Sequence, residues 1–233
     1  MITSPHNEKL KLLRRLRRRR AREREGVFVG EGEDLLAAAR AAGAEPEELL
    51  TAGGEGLGGT EVEPALLDRF ATLASGTRAI GVWRERWAEA PSEPCVYLHG
   101  VADPGNVGSV IRSAGALAGG SVVLGPDCAD PFGPRAVRAS MGAIFTQPLV
   151  RAGVDETPRP RVALVAHGGD GLDPIEGAAT ICLGAEREGL PDDALAACEA
   201  TATIPLRSGA ESLNVAAAAA IALHLRGVRG SER

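Results

Sequence analysis

Short apolar segments alternate with helical stretches along most of this chain of 233 residues. Beyond residue 94, the apolar segments stand at 95–98, 121–124, 162–166, 180–183 and 201–204. They lack the polar alternation of a half-exposed strand, which is typical of strands covered on both faces. We therefore predict an α/β fold in which helices cover both faces of a mostly parallel sheet.

The first third of the chain predicts a smaller α/β domain. Strands are expected at 27–29 and 78–83, and helices at 34–42 and 64–74. The polar stretch that follows, with Pro91 and Pro94, is predicted to be a linker. The predicted organisation is a basic helical arm at 1–25, an N-terminal domain at 26–88, a linker at 89–94 and a C-terminal domain at 95–233.

The charge of the chain is divided sharply between its first residues and the rest. Residues 1–25 hold ten Lys or Arg against three Glu, a net charge of +7, while the whole chain carries −5. The remaining residues therefore carry −12. A basic segment on an acidic protein is typical of contact with a polyanion such as nucleic acid.

The basic segment predicts one helix from Asn7 to Glu25, because it contains neither Pro nor Gly. Its leucines form one helical edge: Leu10, Leu12, Leu13 and Leu16. We predict that Arg14, Arg17 and Arg18 bind RNA, since guanidinium forks suit phosphate oxygens. The alternatives are a solvated helix docked by its leucines and a membrane-surface helix, which the lack of aromatic residues disfavours.

Several function classes are disfavoured by what the sequence lacks. Lys9 and Lys11 are its only lysines, so neither a Walker-type phosphate loop nor a pocket Schiff base is expected. The longest apolar run has nine residues, too few to cross a bilayer, and the charged first residues predict no secretion signal. The four cysteines form no C-x-x-C pair, so we expect free thiols in the cytoplasm and no metal site.

A glycine-rich stretch matches the pattern G-x-G-x-x-G through Gly54, Gly56 and Gly59. That pattern binds dinucleotides only between a strand and a helix. No strong strand is expected before these glycines, and Pro64 interrupts any helix after them. We predict a surface loop.

Polar residues follow two of the predicted strands. After the strand at 95–98, Asp103 and Pro104 are typical of a helix start, and Asn106 and Arg112 lie within that helix. Glycines one turn from Arg112 leave it accessible to a phosphate, although an ordinary surface arginine is the alternative. After the strand at 180–183, Gly184 and then Glu186 stand where ligands gather in parallel sheets. The alternative there is a plain turn with an exposed carboxylate.

A third segment runs from Ile204 through a polar loop into an alanine-rich helix, which is expected to end near Gly227. Ser212 is predicted to cap this helix. Asn214 is predicted to lie just inside it, where asparagine is a weak helix former. Because Asn214 departs from the helix propensity expected at this position, we expect it to have a functional role.

In order and spacing, these segments resemble the SpoU family of RNA 2'-O-ribose methyltransferases, also called the TrmH family, of the SPOUT superfamily. The motifs of the family correspond here to Asn106, Gly108 and Arg112, then to Leu183, Gly184, Glu186, Gly189 and Leu190, and then to Ile204, Pro205, Leu206 and residues 212–215. Residues 138–143, R-A-S-M-G-A, also look like the family. More loosely, residues 7–32 resemble the small RNA-binding domain ahead of the catalytic domain in many members.

The resemblance implies a trefoil knot in the C-terminal sheet, S-adenosylmethionine as cofactor, a homodimer and an RNA substrate, with ribosomal RNA favoured. It implies that Leu183, Gly184, Ile204 and Leu213 hold the cofactor. It implies that the catalytic residues are Asn106, Arg112, Glu186, Ser212 and Asn214, with Arg112 serving a site completed by the partner subunit. The family's arginine has been assigned as the base. Because guanidinium stays protonated, we favour a clamp that binds phosphate and stabilises the oxyanion, and the choice stays open.

Three other functions stay open from the sequence. One is 2'-O-methylation of transfer RNA, and another is catalytically silent RNA binding by a protein of the same fold. The third is a nucleotide-using α/β enzyme, which the lack of a pocket lysine disfavours. Binding of S-adenosylmethionine would separate the methyltransferases from the other two.

Overall fold

The computed structural model describes residues 1–72 and 76–230. Its α-helices are α1 (Glu8–Leu16), α2 (Arg19–Glu25), α3 (Glu33–Ala41), α4 (Pro64–Asp68), α5 (Pro104–Leu117), α6 (Pro134–Ala139), α7 (Asp173–Glu176), α8 (Asp192–Ala196) and α9 (Val215–Gly230). Its strands are β1 (Val27–Glu31), β2 (Glu48–Ala52), β3 (Thr60–Val62), β4 (Ala79–Arg84), β5 (Cys95–Leu98), β6 (Ser121–Leu124), β7 (Leu149–Arg151), β8 (Arg161–Leu164), β9 (Thr180–Leu183) and β10 (Ala200–Ala202). Unit 1 comprises Met1–Glu85 and Asp130–Thr146, and unit 2 comprises Arg86–Ala129 and the chain from Gln147 onward.

A four-stranded sheet in the order β1-β4-β2-β3 organises unit 1. β4 pairs antiparallel with β1 and β2, while β2 and β3 are parallel. β1 and β4 confirm the two predicted strands. β2 and β3 were not predicted, because both are short and carry polar residues. Buried leucines of α1 and α4 join the sheet in one core, which confirms the predicted apolar edge of the basic segment: Leu10, Leu13, Leu16, Leu66 and Leu67.

The basic segment forms two helices, and the prediction of a single helix over residues 7–25 is wrong. α1 ends at Leu16 and α2 begins at Arg19. The side chain of Arg22 folds back on this break. Its Nη1 donates hydrogen bonds to the carbonyl oxygens of Leu16, at 3.0 Å, and Arg17, at 3.1 Å. Carbonyls at a helix end have no amide partner in the helix, so this side chain stabilises the break.

Arg22 also forms a buried ion pair. Its Nη2 lies 2.6 Å from Oδ2 of Asp130, and the two side chains are 5% and 11% exposed. Removing one partner leaves the other charge buried and uncompensated, so we expect Asp130→Ala to lower the free energy of unfolding by about 3–5 kcal/mol. Urea denaturation measures this. The double variant Arg22→Met/Asp130→Leu should lose less. A change within ~0.5 kcal/mol for Asp130→Ala, as at an ordinary surface position, would contradict the role of the pair.

Residues 130–146 complete unit 1 although they lie between β6 and β7 in the chain. The rings of Phe132 and Phe145 lie 5.2 and 5.8 Å from the ring of Phe28, and Phe145 lies 5.2 Å from Trp83. Such aromatic pairs contribute about 0.5–1.5 kcal/mol each beyond burial of area. The aromatic part of the core of unit 1 therefore depends on this distant segment.

Two further parts of unit 1 differ from prediction. α4 ends at Asp68, whereas the helix was predicted to reach Ala74; residues 73 and 74 of that prediction lie outside the described residues. Oδ1 of Asp68 accepts a hydrogen bond from the amide of Gly76 at 2.5 Å, which favours a turn after the helix.

The glycine-rich stretch at 54–59 does follow a strand, β2, contrary to expectation. The next element is the strand β3, so the stretch is a loop without the helix that dinucleotide binding requires.

Unit 2 is built on a six-stranded sheet in the order β10-β8-β9-β5-β6-β7. Every neighbouring pair is parallel, which confirms the predicted α/β fold with a parallel sheet. β5, β6 and β9 are buried along their whole length, as expected of strands covered on both faces. The edge strand β7 was not predicted.

Helices α5 and α9 pack together in unit 2. A Cβ added to Gly227 would lie 2.9 Å from the carbonyl oxygen of Leu117, so the missing side chain allows a close approach. α9 continues past Gly227 to Gly230, and the predicted end of this helix is wrong. In the described part of the chain, no helix, α9 included, has the length and apolarity needed to cross a membrane.

Candidate active site

A cavity of about 330 Å³ opens in unit 2 at the carboxyl ends of β8 and β9. Ligands commonly bind at this edge of a parallel sheet. Most of the lining comes from residues 164–166, from residues 183–190, and from Ile204, Leu206, Ser212, Leu213 and Val215. The wall therefore combines apolar side chains with the turn that follows β9.

The turn after β9 folds back on Gly184. The backbones of Ala185 and Gly189 exchange hydrogen bonds of 3.0 and 2.9 Å, and Gly189 has a φ of 71°, which favours glycine. A Cβ on Gly184 would lie 2.0 Å from the carbonyl carbon of Gly189 and 2.2 Å from the amide nitrogen of Leu190. This turn therefore has no room for a side chain at position 184, and its backbone forms part of the cavity wall.

The structure places all four predicted cofactor-binding residues, Leu183, Gly184, Ile204 and Leu213, in the lining of this cavity. Sequence reasoning missed residues 164–166, at the end of β8 and just after it, which line the cavity too. They carry no motif. The signal that could have found them is the predicted apolar strand at 162–166, because parallel strands bring their carboxyl ends to one edge.

A chain of hydrogen bonds joins the three motifs at the cavity. Nδ2 of Asn106 donates to Oε1 of Glu186, which lines the cavity. Nδ2 of Asn214 donates to Oδ1 of Asn106 at 2.9 Å. Both amides thus donate in the direction of the carboxylate, and a charged acceptor strengthens such bonds. The structure brings together three of the five predicted catalytic residues.

Both asparagine-bearing helices begin at this chain of hydrogen bonds. Asp103 caps α5 as predicted, with its Oδ1 accepting from the amide three residues later at 3.0 Å. Oδ1 of Asn214 accepts from the amides of Ala216, at 2.9 Å, and Ala217, at 3.3 Å, so Asn214 is the N-cap of α9. The prediction that Ser212 caps this helix, with Asn214 inside it, is wrong. Asparagine is among the best N-cap residues, so Asn214 agrees with the residue preference at its position.

The other two predicted catalytic residues, Ser212 and Arg112, are not part of this chain of hydrogen bonds. Ser212 is exposed and lines the cavity. Arg112 is exposed on α5 and does not line the cavity, and its side chain makes no hydrogen bond or ion pair with any residue that the structure describes. It follows Asn106 by six residues, which places it on another side of the helix. One chain alone does not bring Arg112 to the cavity.

Several thiol and hydroxyl groups on or beside the sheet have shifted pKa values. Burial raises the pKa of Tyr97 to about 12, and its hydroxyl pairs with Nδ1 of His99 at 3.1 Å. Burial raises the pKa of Cys95 to about 11. The hydrogen bond between Cys182 and Cys198 raises the pKa of Cys182 and lowers the pKa of Cys198. Across residues 1–72 and 76–230, no three His, Cys, Asp or Glu side chains group in a way that could hold a metal ion.

The three predicted RNA-binding arginines are exposed on unit 1. The guanidinium of Arg14 lies 5.6 Å from the centre of the Phe70 ring, and Nη2 of Arg17 donates to the carbonyl oxygen of Phe70 at 3.2 Å. Arg18 is the N-cap of α2. Among the described residues, none of the three has an acidic partner. Other basic side chains of the segment are paired: Lys11 with Glu8, Arg15 with Glu25, Arg19 with Glu23.

The fold and the cavity define an α/β protein with a ligand site at the carboxyl edge of a parallel sheet. Residues 93–224 match the SpoU rRNA Methylase family, and residues 7–85 match the MRM3-like substrate binding domain. The first match covers more than half of the chain. The chain belongs to the SpoU rRNA Methylase family.

Individual relatives agree with this placement. Over 245 aligned residues the chain is 30% identical to the 23S rRNA (guanosine(2553)-2'-O)-methyltransferase of Bacillus subtilis, covering 97% of this chain and 99% of that one. It is 38% identical over 151 residues to an uncharacterized tRNA/rRNA methyltransferase of Mycobacterium tuberculosis, covering 59% of this chain and 52% of the relative, about half its length. The crystal structure of an AdoMet bound rRNA methyltransferase from Sinorhizobium meliloti superposes with a TM-score of 0.85 at 28% identity, covering 97% and 96% of the two chains.

Proposed function

We propose that this chain transfers a methyl group from S-adenosylmethionine to a ribose 2'-hydroxyl of structured RNA, with ribosomal RNA as the favoured substrate. The observation that carries the proposal is the hydrogen-bond chain from Asn214 through Asn106 to Glu186 at the cavity. Three motifs that are distant in sequence meet there in a member of the SpoU family. The activity named for the Bacillus subtilis relative supports ribosomal RNA.

The residues of the cavity fit S-adenosylmethionine. Its volume of about 330 Å³ is in the range of small-molecule sites. Leu183, Ile204 and Leu213 offer apolar surface for a purine ring, and the turn at Gly184 offers backbone groups for hydrogen bonds. The exposed carboxylate of Glu186 favours a cationic group nearby. When bound, S-adenosylmethionine supplies an electrophilic methyl group on a positively charged sulfur.

The polar residues of the site orient the acceptor ribose in this proposal. Glu186 holds the amide of Asn106 in one orientation, and Asn106 in turn holds the amide of Asn214. Fixed amides position the 2'-oxygen in line with the methyl group, and such positioning supplies much of the rate in a group transfer. Ser212, on the cavity wall, offers a hydroxyl to the same ribose.

Arg112 acts on the RNA in this proposal. A guanidinium stays protonated at neutral pH. It therefore binds a phosphate and stabilises the negative charge that develops on the 2'-oxygen as the hydroxyl proton passes to water. Because Arg112 lies outside the cavity of its own chain, we propose that it serves the cavity of a second copy.

The same proposal includes a homodimer, a trefoil knot in unit 2 and action in the cytoplasm. Leu117 on α5 and Ile221 on α9 are each 38% exposed, and a second copy would cover these apolar side chains. The alanines at 216–220 give α9 a smooth surface for close helix packing. Light scattering of the purified protein measures the mass in solution, and a monomer at all concentrations would contradict the dimer.

Unit 1 is the proposed RNA-binding domain, and its affinity should depend on salt. Each phosphate contact adds about 0.7–0.9 to the slope of log K against log salt concentration. Replacing Arg14, Arg17 and Arg18 together by Ala should therefore lower the slope by about two units. Filter binding of unmodified ribosomal RNA over a series of potassium chloride concentrations measures the slope.

A matched control replaces three arginines of the same segment that have acidic partners, Arg15, Arg19 and Arg24. Their charges are already partly neutralised, so the slope should change less than in the first variant. Equal slopes for wild type and for the first variant would contradict the RNA-binding role of Arg14, Arg17 and Arg18.

The deciding experiment incubates the protein with methyl-labelled S-adenosylmethionine and separate pools of unmodified ribosomal and transfer RNA, followed by digestion to nucleosides. Labelled 2'-O-methylnucleoside from the ribosomal pool is expected. Label in the transfer RNA pool alone would favour the second RNA class named for the Mycobacterium tuberculosis relative. No label and no cofactor binding would contradict the proposal and favour a catalytically silent RNA-binding protein.

A further inference from the structure

Met141 in unit 1 holds a backbone conformation that its side chain disfavours. Its φ is +49°, and among the described residues only Met141 and Asp127 hold a positive φ without being glycine. For a bulky residue this conformation is strained. The side chain is 55% exposed, so burial in the core does not offset the strain. Strained residues of this kind cluster at binding and catalytic sites.

The surrounding structure fixes the Met141 turn. The amide of Met141 donates to the carbonyl oxygen of Arg138 at 3.1 Å, and Ser140 between them is fully buried. A Cβ on Gly142 would lie 2.4 Å from the Cβ of Ala38 on α3, so the turn lies directly against that helix. The backbone of Met141 is therefore held in one conformation, which directs its exposed side chain.

Met141 lines a second cavity of about 340 Å³, which lies wholly within unit 1. The other lining residues are Glu31, Gly32, Asp34, Leu35, Thr77 and Arg138. Two sequence patterns therefore meet at this cavity, the stretch R-A-S-M-G-A at 138–143 and the connection from β1 to α3. Neither has a role in the active site of unit 2.

The cavity combines three kinds of contact. Met141 and Leu35 offer apolar surface, and a thioether packs well against aromatic rings. The exposed carboxylate of Asp34 is an acceptor, while the guanidinium of Arg138, with five N–H groups, is a donor. A Cβ built on Gly32 would meet no atom within 4 Å, so a ligand can approach the backbone there.

The second carboxylate of the cavity is already engaged. Glu31 accepts from the amide and the hydroxyl of Thr72, at 3.0 and 2.5 Å. Asp34 therefore supplies the acceptor for a ligand. A flat, partly apolar ligand with a hydrogen-bond donor beside an acceptor would satisfy Asp34, Arg138 and Met141 together.

We propose that this cavity binds one unpaired nucleobase of the RNA substrate. The proposal rests on the proposed function, which makes RNA the substrate. Each of the four bases has an N–H donor beside an acceptor, such as the amino group and N3 of cytosine or N3–H and O4 of uracil. The donor faces Asp34 and the acceptor faces Arg138.

Met141→Gly separates a binding role from a structural one. Glycine adopts the left-handed conformation without strain, so the Tm should equal or exceed that of wild type. Loss of the side chain should weaken binding of a short adenosine oligonucleotide by about two- to tenfold, since a contact between a thioether and an aromatic ring contributes an effect of that order. Asp127→Gly is the matched control, because it relieves the same kind of strain outside the cavity, and it should not weaken binding.

Asp34→Ala tests the hydrogen bond to the base. Glu45→Ala is the matched control, because it removes the same charge at an exposed residue outside the cavity. Asp34→Ala should bind adenosine and uridine oligonucleotides about tenfold more weakly than this control, since a hydrogen bond to a charged group contributes an effect of that order. Equal binding by the two variants would overturn the role of Asp34.

Two outcomes separate this proposal from the proposed function. A wild-type protein that methylates ribosomal RNA, with Met141→Gly binding every oligonucleotide as tightly as wild type, overturns the base site alone. A wild-type protein that neither binds RNA nor transfers a methyl group overturns the proposed function, and the base site with it.

Discussion

Arg112→Ala should lower the rate of methyl transfer by about 10²–10³-fold, the effect of removing one donor to a developing oxyanion. The Kd for S-adenosylmethionine should stay at the wild-type value, because the proposed role of Arg112 is to bind the RNA and not the cofactor. Single-turnover kinetics and calorimetric titration measure the two quantities. Arg112→Lys keeps the charge but not the planar fork, and we expect an intermediate rate. Weaker cofactor binding in Arg112→Ala would contradict the role given to this residue.

Mixed dimers test whether Arg112 serves the cavity of a second copy. In a dimer of Arg112→Ala with Gly184→Ala, one subunit has an intact cavity and the other has an intact Arg112. If the arginine acts across the dimer, these two intact parts form one working site. Random pairing should then restore about a quarter of the wild-type activity. If each Arg112 serves its own chain, mixing restores nothing.

Three of the motif residues that meet beside the cavity were predictable, while their local structural roles were not. Motif order predicted that Asn106, Glu186 and Asn214 act together, and the structure joins them by hydrogen bonds. That Asn214 is the N-cap of α9 was missed, because the start of a helix depends on which side chain reaches its first amides. Several of the nearby residues, Ser212 among them, are polar enough to do so.

The parallel sheet of unit 2 was predictable from its apolar strands, because strands covered on both faces are apolar throughout. Unit 1 was less predictable, since its features depend on residues far apart in the chain. The break between α1 and α2 is stabilised by Arg22, whose partner Asp130 lies 108 residues away. Local propensity contains no information about such a pair. The same holds for the aromatic contacts that bind residues 130–146 to unit 1.

Gly184→Ala should weaken binding of S-adenosylmethionine more than any other single methyl group added to the cavity. The new Cβ would lie 2.0 Å from the carbonyl carbon of Gly189 and 2.2 Å from its oxygen. These are backbone atoms, so the turn itself must move. Overpacking of this kind costs about 1–3 kcal/mol, which corresponds to a loss of affinity of about 5- to 150-fold if the strain falls on the bound state. Calorimetric titration with S-adenosylmethionine measures it.

Gly177→Ala is the matched control in the same unit, because its φ is −96° and no atom lies within 4 Å of the added Cβ. Alanine there should leave both the Tm and the cofactor affinity unchanged or slightly raise the Tm. Wild-type affinity in Gly184→Ala would contradict the place of the turn in the cofactor site. Suppose that Gly184→Ala loses cofactor affinity with a near-normal Tm, while Arg112→Ala loses turnover with normal cofactor affinity. Binding of the methyl donor and transfer of the methyl group would then depend on different residues. The turn after β9 would then bind the methyl donor, and the exposed face of α5 would serve the RNA.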